Sequence, residues 1–122
     1  MASKPEQKKI YRPVGYGSLG IDDMYYITRH VELEKPGFTH LDLANRHISN
    51  YDAKEYISKI IRTNNTLISI DLSNSDISNK GARHIKEALK SNTTLREIIF
   101  GISEISIKKR NSIQEILKKR QN

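Results

Sequence analysis

With 122 residues, 36% of them apolar, and a formal charge of +7, the chain amounts to one domain with a thin or elongated core. It has no cysteine, which excludes disulfides and thiolate-bound metal and suits a reducing compartment. No stretch approaches the roughly 18 apolar residues of a membrane span, and Met1–Glu6 lacks the apolar run of a secretory signal. The expectation is therefore an intracellular, cytoplasmic protein with no membrane insertion.

Residues 1–20, rich in Lys, Gly, Pro and Tyr, read as a flexible arm. Asp22 or Asp23 then stands where it would cap a helix running to about Glu34, with Met24, Ile27, Thr28 and Val31 on one face. Pro36-Gly37 stops that helix, so 21–37 reads as the N-terminal cap of a domain spanning 21–122. An internal repeat follows. Phe38-Thr39-His40-Leu41-Asp42-Leu43 recurs as Leu67-Ile68-Ser69-Ile70-Asp71-Leu72, each trailed by Ile-Ser-Asn, at 48–50 and 77–79. A weaker copy starts at Leu95, giving units 38–66, 67–94 and 95–122. The first step is 29 residues and the second 28; the surplus residue falls between Asn50 and Ile57.

Within each unit the apolar period changes from two to that of a helix. Leu41 and Leu43, then Ile70 and Leu72, alternate with polar residues as in a half-buried strand. Ile57, Ile60 and Ile61 follow at helical spacing, then Ile85, Ala88 and Leu89, then Ile113, Ile116 and Leu117. One strand and one helix cannot bury both their faces, so the units must stack. The predicted fold is α/β: a short solenoid with a curved parallel sheet of about three strands, near 40–43, 69–72 and 97–100, backed by helices. A last helix over 108–119 has the charged outer face expected of a terminal cap.

The run Ile70-Asp71-Leu72-Ser73-Asn74-x-x-Ile77-Ser78, Lys80-Gly81-Ala82, Ile85, Ala88-Leu89, Asn92-Thr93-Thr94-Leu95 resembles the 28-residue leucine-rich repeat of ribonuclease inhibitor and of nucleotide-binding immune receptors. The resemblance implies a horseshoe segment that presents a concave strand face to a protein partner. The position that usually carries a loop-stabilising Asn holds Arg46, Ser75 and Ser103 here. Serine can still bond backbone there, whereas Arg46 has no acceptor to offer. The last copy, from Asn92-Thr93-Thr94-Leu95 to Lys118-Lys119-Arg120, is also similar to the C-terminal end of tropomodulin, an actin pointed-end capper.

Other chemistry is thinly signalled. Gly15-Tyr16-Gly17-Ser18-Leu19-Gly20 spells a dinucleotide fingerprint, but Tyr11-Arg12-Pro13-Val14 is too short and proline-broken for the central strand it needs. His30, His40, His47 and His84 fall on different elements, so neither a metal nor a cofactor is expected. No nucleophile, base and acid stand at convincing spacing, and the chain reads as a non-enzyme. Asn64-Asn65-Thr66 and Asn92-Thr93-Thr94 match glycosylation signals but read better as helix-ending turns.

The expected reading is a protein-binding module or small subunit of a larger complex. Its contact residues would be His40, Asp42, Ala44, Ser69, Asp71, Ser73, Glu97 and Ile99 on the concave strands, with Tyr11, Arg12 and Tyr16 of the arm adding grip. Asp42 and Asp71, at equivalent positions, would together meet a partner's Lys or Arg. One competing reading is a basic protein docking on nucleic acid or ribosome through Lys108, Lys109, Arg110, Lys118, Lys119 and Arg120. Another is a tropomodulin-like protein that binds actin filaments.

Overall fold

The computed structural model describes residues 8–120. Along the chain run β1 (Ile10–Tyr11), α1 (Ile21–Leu33), β2 (His40–Asp42), α2 (Asn50–Asp52), a π-helical segment (Ala53–Ile57), α3 (Ser58–Thr63), β3 (Ser69–Asp71), α4 (Asn79–Leu89), β4 (Glu97–Ile99) and α5 (Ile107–Lys118). The strands form one parallel sheet in the order β1-β2-β3-β4. The three strands read from the repeat are β2, β3 and β4. Among the described residues no helix is long and apolar enough to cross a membrane.

Alternation decides which side of the sheet is buried. Leu41, Leu43, Ile70, Leu72, Ile98 and Phe100 point to the helices and are closed off from solvent. They meet Ile57, Ile60, Ile61, Ile85, Leu89, Ile113 and Leu117 in a single continuous core. The same face of α1 that its spacing singles out, Met24, Ile27, Thr28 and Val31, closes the N-terminal end. Its N-cap is Gly20 rather than Asp22 or Asp23, with Asp23 at the third helical position reaching back to accept from the Gly20 amide at 2.8 Å.

The surplus residue of the first repeat has a structural counterpart. Asn50 to Thr63 is one continuous helix, and its middle, Ala53–Ile57, is wound in the π form. A π turn takes up one residue without breaking the helix. Ile57, Ile60 and Ile61 thereby reach the same inner face that Ile85, Ala88 and Leu89 reach without it.

Asparagines stitch repeat to repeat. The Asn64 and Asn92 side-chain oxygens accept from the amides two and three residues on, turning the chain from helix back to strand. Asn92, buried, also donates to the Ile61 carbonyl at 2.8 Å and the Asn64 carbonyl at 3.1 Å. Asn50 Oδ1 accepts from the amides of Ser78 and Gly81, both at 2.9 Å. A Cβ on Gly81 would lie 2.5 Å from that same oxygen, so α4 packs this closely only because residue 81 is glycine.

The N-terminal region differs from the expected arm. Residues 1–7 lie outside the described residues, but Ile10–Tyr11 forms a strand on the sheet edge rather than part of a free arm. Ile10 pairs with His40 and Tyr11 with Leu41, adding a strand that carries no repeat leucine. Polar contacts hold it. The Lys9 carbonyl accepts from the amides of Thr39 and His40, and its ammonium reaches Glu34 Oε1 and the Pro36 carbonyl, both at 2.7 Å. Tyr11, paired with the inward-facing Leu41, turns inward too and sits edge-on to Phe38 with ring centres 5.2 Å apart.

The loops after the strands correct a second expectation. Asn45 and Asn74 take left-handed conformations at equivalent positions, and the Asn74 amide donates to the Asn45 oxygen. Ser75, expected to bond backbone, is buried with its hydroxyl unpaired; this loop is held instead by the asparagine pair and by the Asp76 amide on the Ile48 carbonyl. Arg46, lacking an acceptor, works as a donor: Nε gives to the Gly17 carbonyl at 2.6 Å and Nη1 to the Pro13 carbonyl at 3.2 Å.

Candidate protein interface

Helices cover one face of the sheet and leave the other open. Register places its outward side chains in rows that cross the strands: Ile10, His40, Ser69 and Glu97 in one, then Asp42, Asp71 and Ile99 in the next. Ala44 and Ser73 continue the face into the loops, half-buried. All eight residues expected on this face from the sequence are brought together there, and Ile10 joins them through the unforeseen strand.

They are not equally available. Ser69 is only 6% exposed, because its central strand is flanked on both sides and its hydroxyl donates to Glu97 Oε1 at 2.7 Å. His40 is half-buried with Nδ1 2.8 Å from the Thr39 hydroxyl. Asp42 accepts the Ala44 amide on Oδ1 at 3.0 Å and the Arg12 guanidinium on Oδ2 at 2.7 Å. Burial works to raise the Asp42 pKa, but the amide and the guanidinium outweigh it, and the carboxyl lies below its ordinary range. Asp71 accepts the Ser73 amide on Oδ1 at 2.9 Å and has no ion pair among the described residues. The expected pair of carboxylates is thus asymmetric: Arg12 already serves Asp42, whereas only one Asp71 oxygen is engaged among the described residues.

Apolar side chains flank the face at both ends. Ile10 and Ile99 are partly exposed on the outer strands; Val14 and Tyr16 (95%) project from the loop after β1, and Ile102 (88%) from the loop after β4. Of the arm residues expected to grip a partner, Tyr16 stands free, Arg12 is paired with Asp42, and Tyr11 is turned into the core. Ile102 was not foreseen. The repeat does flag it: an isoleucine stands 28 residues after Asn74, where the other copies have asparagine.

The remaining sequence signals resolve into structure. Gly15 and Gly17 sit at φ +89° and +87°, carrying the chain from β1 around to α1, and Arg46 occupies the Gly17 carbonyl. Among the described residues no three His, Asp or Glu side chains converge as a metal would require. Two of the six C-terminal cations are committed internally. Arg110 donates to the Ser103 hydroxyl at 2.8 Å, and Arg120 to the carbonyls of Leu89 at 2.6 Å and Leu95 at 3.1 Å.

Neither a family model nor a curated protein matches the sequence. A solved structure does match the fold: leiomodin-1 actin-binding site 2, with a TM-score of 0.68 and 26% identity over 82% of this chain. The two share a leucine-rich-repeat-like fold. The alignment covers 58% of that chain, so this protein matches little more than half its length. The likeness agrees with the resemblance to tropomodulin read from the last repeat and extends it across most of the domain.

Proposed function

We propose that the chain is a non-enzymatic protein-binding domain of the leucine-rich-repeat type, close in repeat pattern to ribonuclease inhibitor, that docks a partner on its open sheet face. The observation that supports this most is the likeness to a domain described as an actin-binding site, at 26% identity over 82% of the chain. Actin is therefore the first partner to test. The face suits a protein surface: a half-buried carboxylate with a spare oxygen lies between apolar anchors, Tyr16 and Val14 on one side and Ile99 and Ile102 on the other. Docking on nucleic acid through the C-terminal helix is the weaker reading, because Arg110 and Arg120 are held by the protein's own oxygens. Co-sedimentation of the chain with actin filaments, and anisotropy of labelled actin monomers, test the proposal. Binding that Tyr16→Ala and Ile102→Ser each weaken without lowering the melting temperature supports it. Failure to bind either form of actin removes actin as the partner.

A further inference from the structure

On the helical side of the domain, away from the open sheet face, a second surface has a different chemistry. An open cleft of about 550 Å³ runs across the beginnings of three successive helices. Lys54 enters it from the π-helical segment, Lys80, Arg83 and His84 from α4, and Lys109 from α5, with exposed Tyr51 on its wall. Among the described residues no carboxylate lines it, and none of the four Lys and Arg side chains is in an ion pair.

Three acids near the cleft are placed outside it. Asp52 accepts from the Ser49 amide, Glu55 borders a separate hollow with Tyr25 and Arg29, and Glu87 pairs with Lys90. Solvated surfaces normally intersperse the two signs. Here like charges stand side by side, a local repulsion that favours an anionic visitor.

The helix starts that carry the cations are held in fixed relation. Asn50 bonds the start of α4 through the Ser78 and Gly81 amides, and Asn79 bonds the start of α5 through the Ser106 amide at 2.8 Å. The spread of positive charge is thus set by repeat-to-repeat stitching.

We propose that this cleft binds an acidic, Asp- and Glu-rich segment of a protein partner, independently of the open sheet face. Single-stranded nucleic acid fits less well, since its bases need successive aromatic platforms and the cleft offers one, Tyr51. A peptide needs only carboxylates spaced to meet cations on adjacent helices.

The test is a fluorescence-anisotropy titration of the intact chain with a labelled Asp/Glu-rich peptide, alongside an equally long single-stranded oligothymidine at the same salt. The peptide is expected to bind more tightly than the oligothymidine, and more weakly as salt rises. The K80E/R83E double variant should lose roughly tenfold in peptide affinity. Neither side chain has a hydrogen bond or ion pair among the described residues, so the variant should melt as the wild type does. K118E/K119E changes the net charge equally at the far end of α5 and should leave peptide affinity unchanged. Lys54→Glu alone should lower affinity in the same direction as the double variant. Absence of peptide binding, equal losses in the two double variants, or tighter binding of the oligothymidine would each overturn the proposal.

Discussion

The guanidinium of Arg46 reaches back across the first loop and donates to the carbonyl of Gly17 at 2.6 Å. A residue that departs from the repeat pattern thus anchors the segment that departs from the repeat. Arg46→Met keeps the buried stem and removes every donor. Hydrogen bonds from a charged group are worth about 1.5–3 kcal/mol, and the variant is expected to lose stability on that order. Hydrogen exchange should locate the damage, with amides of residues 9–17 exchanging faster and those of β3 unchanged. Uniform acceleration would mean that Arg46 serves the whole stack.

Asp42 makes the attachment of β1 pH-dependent. Its carboxyl pKa is lowered in the folded protein, so its contribution to stability is present above the unfolded value of about 3.9 and is lost as pH falls through the lower folded value. Melting curves of wild type and Asp42→Asn should therefore differ near neutrality and begin to converge as pH falls below about 4. A constant gap across that range would show that the charge of Asp42 does not hold Arg12.

Asp71 has two duties that can be separated. Its Oδ1 accepts the Ser73 amide, so Asp71→Ala should cost about 1 kcal/mol through the lost bond. Asp71→Asn keeps an acceptor and removes the charge. That variant should melt like the wild type yet bind the partner more weakly, if the spare carboxylate oxygen meets a cation there. Undiminished binding by Asp71→Asn would move the contact surface to the apolar anchors alone.

Arg120 and its neighbours on α5 should diverge under substitution. Arg120 closes the ends of α4 and of the Asn92 turn by bonding Leu89, Leu95 and the Asn92 side chain, whereas Lys118 and Lys119 are exposed. Arg120→Ala removes the charged donor from these oxygens, of which Leu89 and Asn92 keep backbone amides, and is expected to destabilise by roughly 1–3 kcal/mol. Lys118→Ala with Lys119→Ala should shift the melting point hardly at all. Similar losses in both would contradict the capping role.

The repeat was legible because burial writes a period into sequence. Leu41, Ile70 and Ile98 mark strands, and Met24, Ile27, Thr28 and Val31 mark a helix face, all with apolar side chains that the core requires. The 29-residue step announced the place of the π turn, though not its form. β1 was hidden because Ile10–Tyr11 is too short for a period and is held by polar groups whose partners lie about 30 residues away. Arg46 read as a defect because the pattern asked for an acceptor, while the fold supplied carbonyls. The basic cleft was missed because the C-terminal cations were read as one linear cluster. Lys54 and Arg83 stand one 29-residue step apart, and Lys80 and Lys109 within one residue of the next, 28-residue step, so they come together on adjacent helices.

The central claim, that the open sheet face receives a protein partner, is tested most directly by hydrogen–deuterium exchange of the chain with and without actin. Protection is expected in segments 9–17, 40–45, 69–74 and 97–102, which carry the face and its anchors, with α3 unaffected. Protection confined to the helices, or none at saturating actin, would contradict the account.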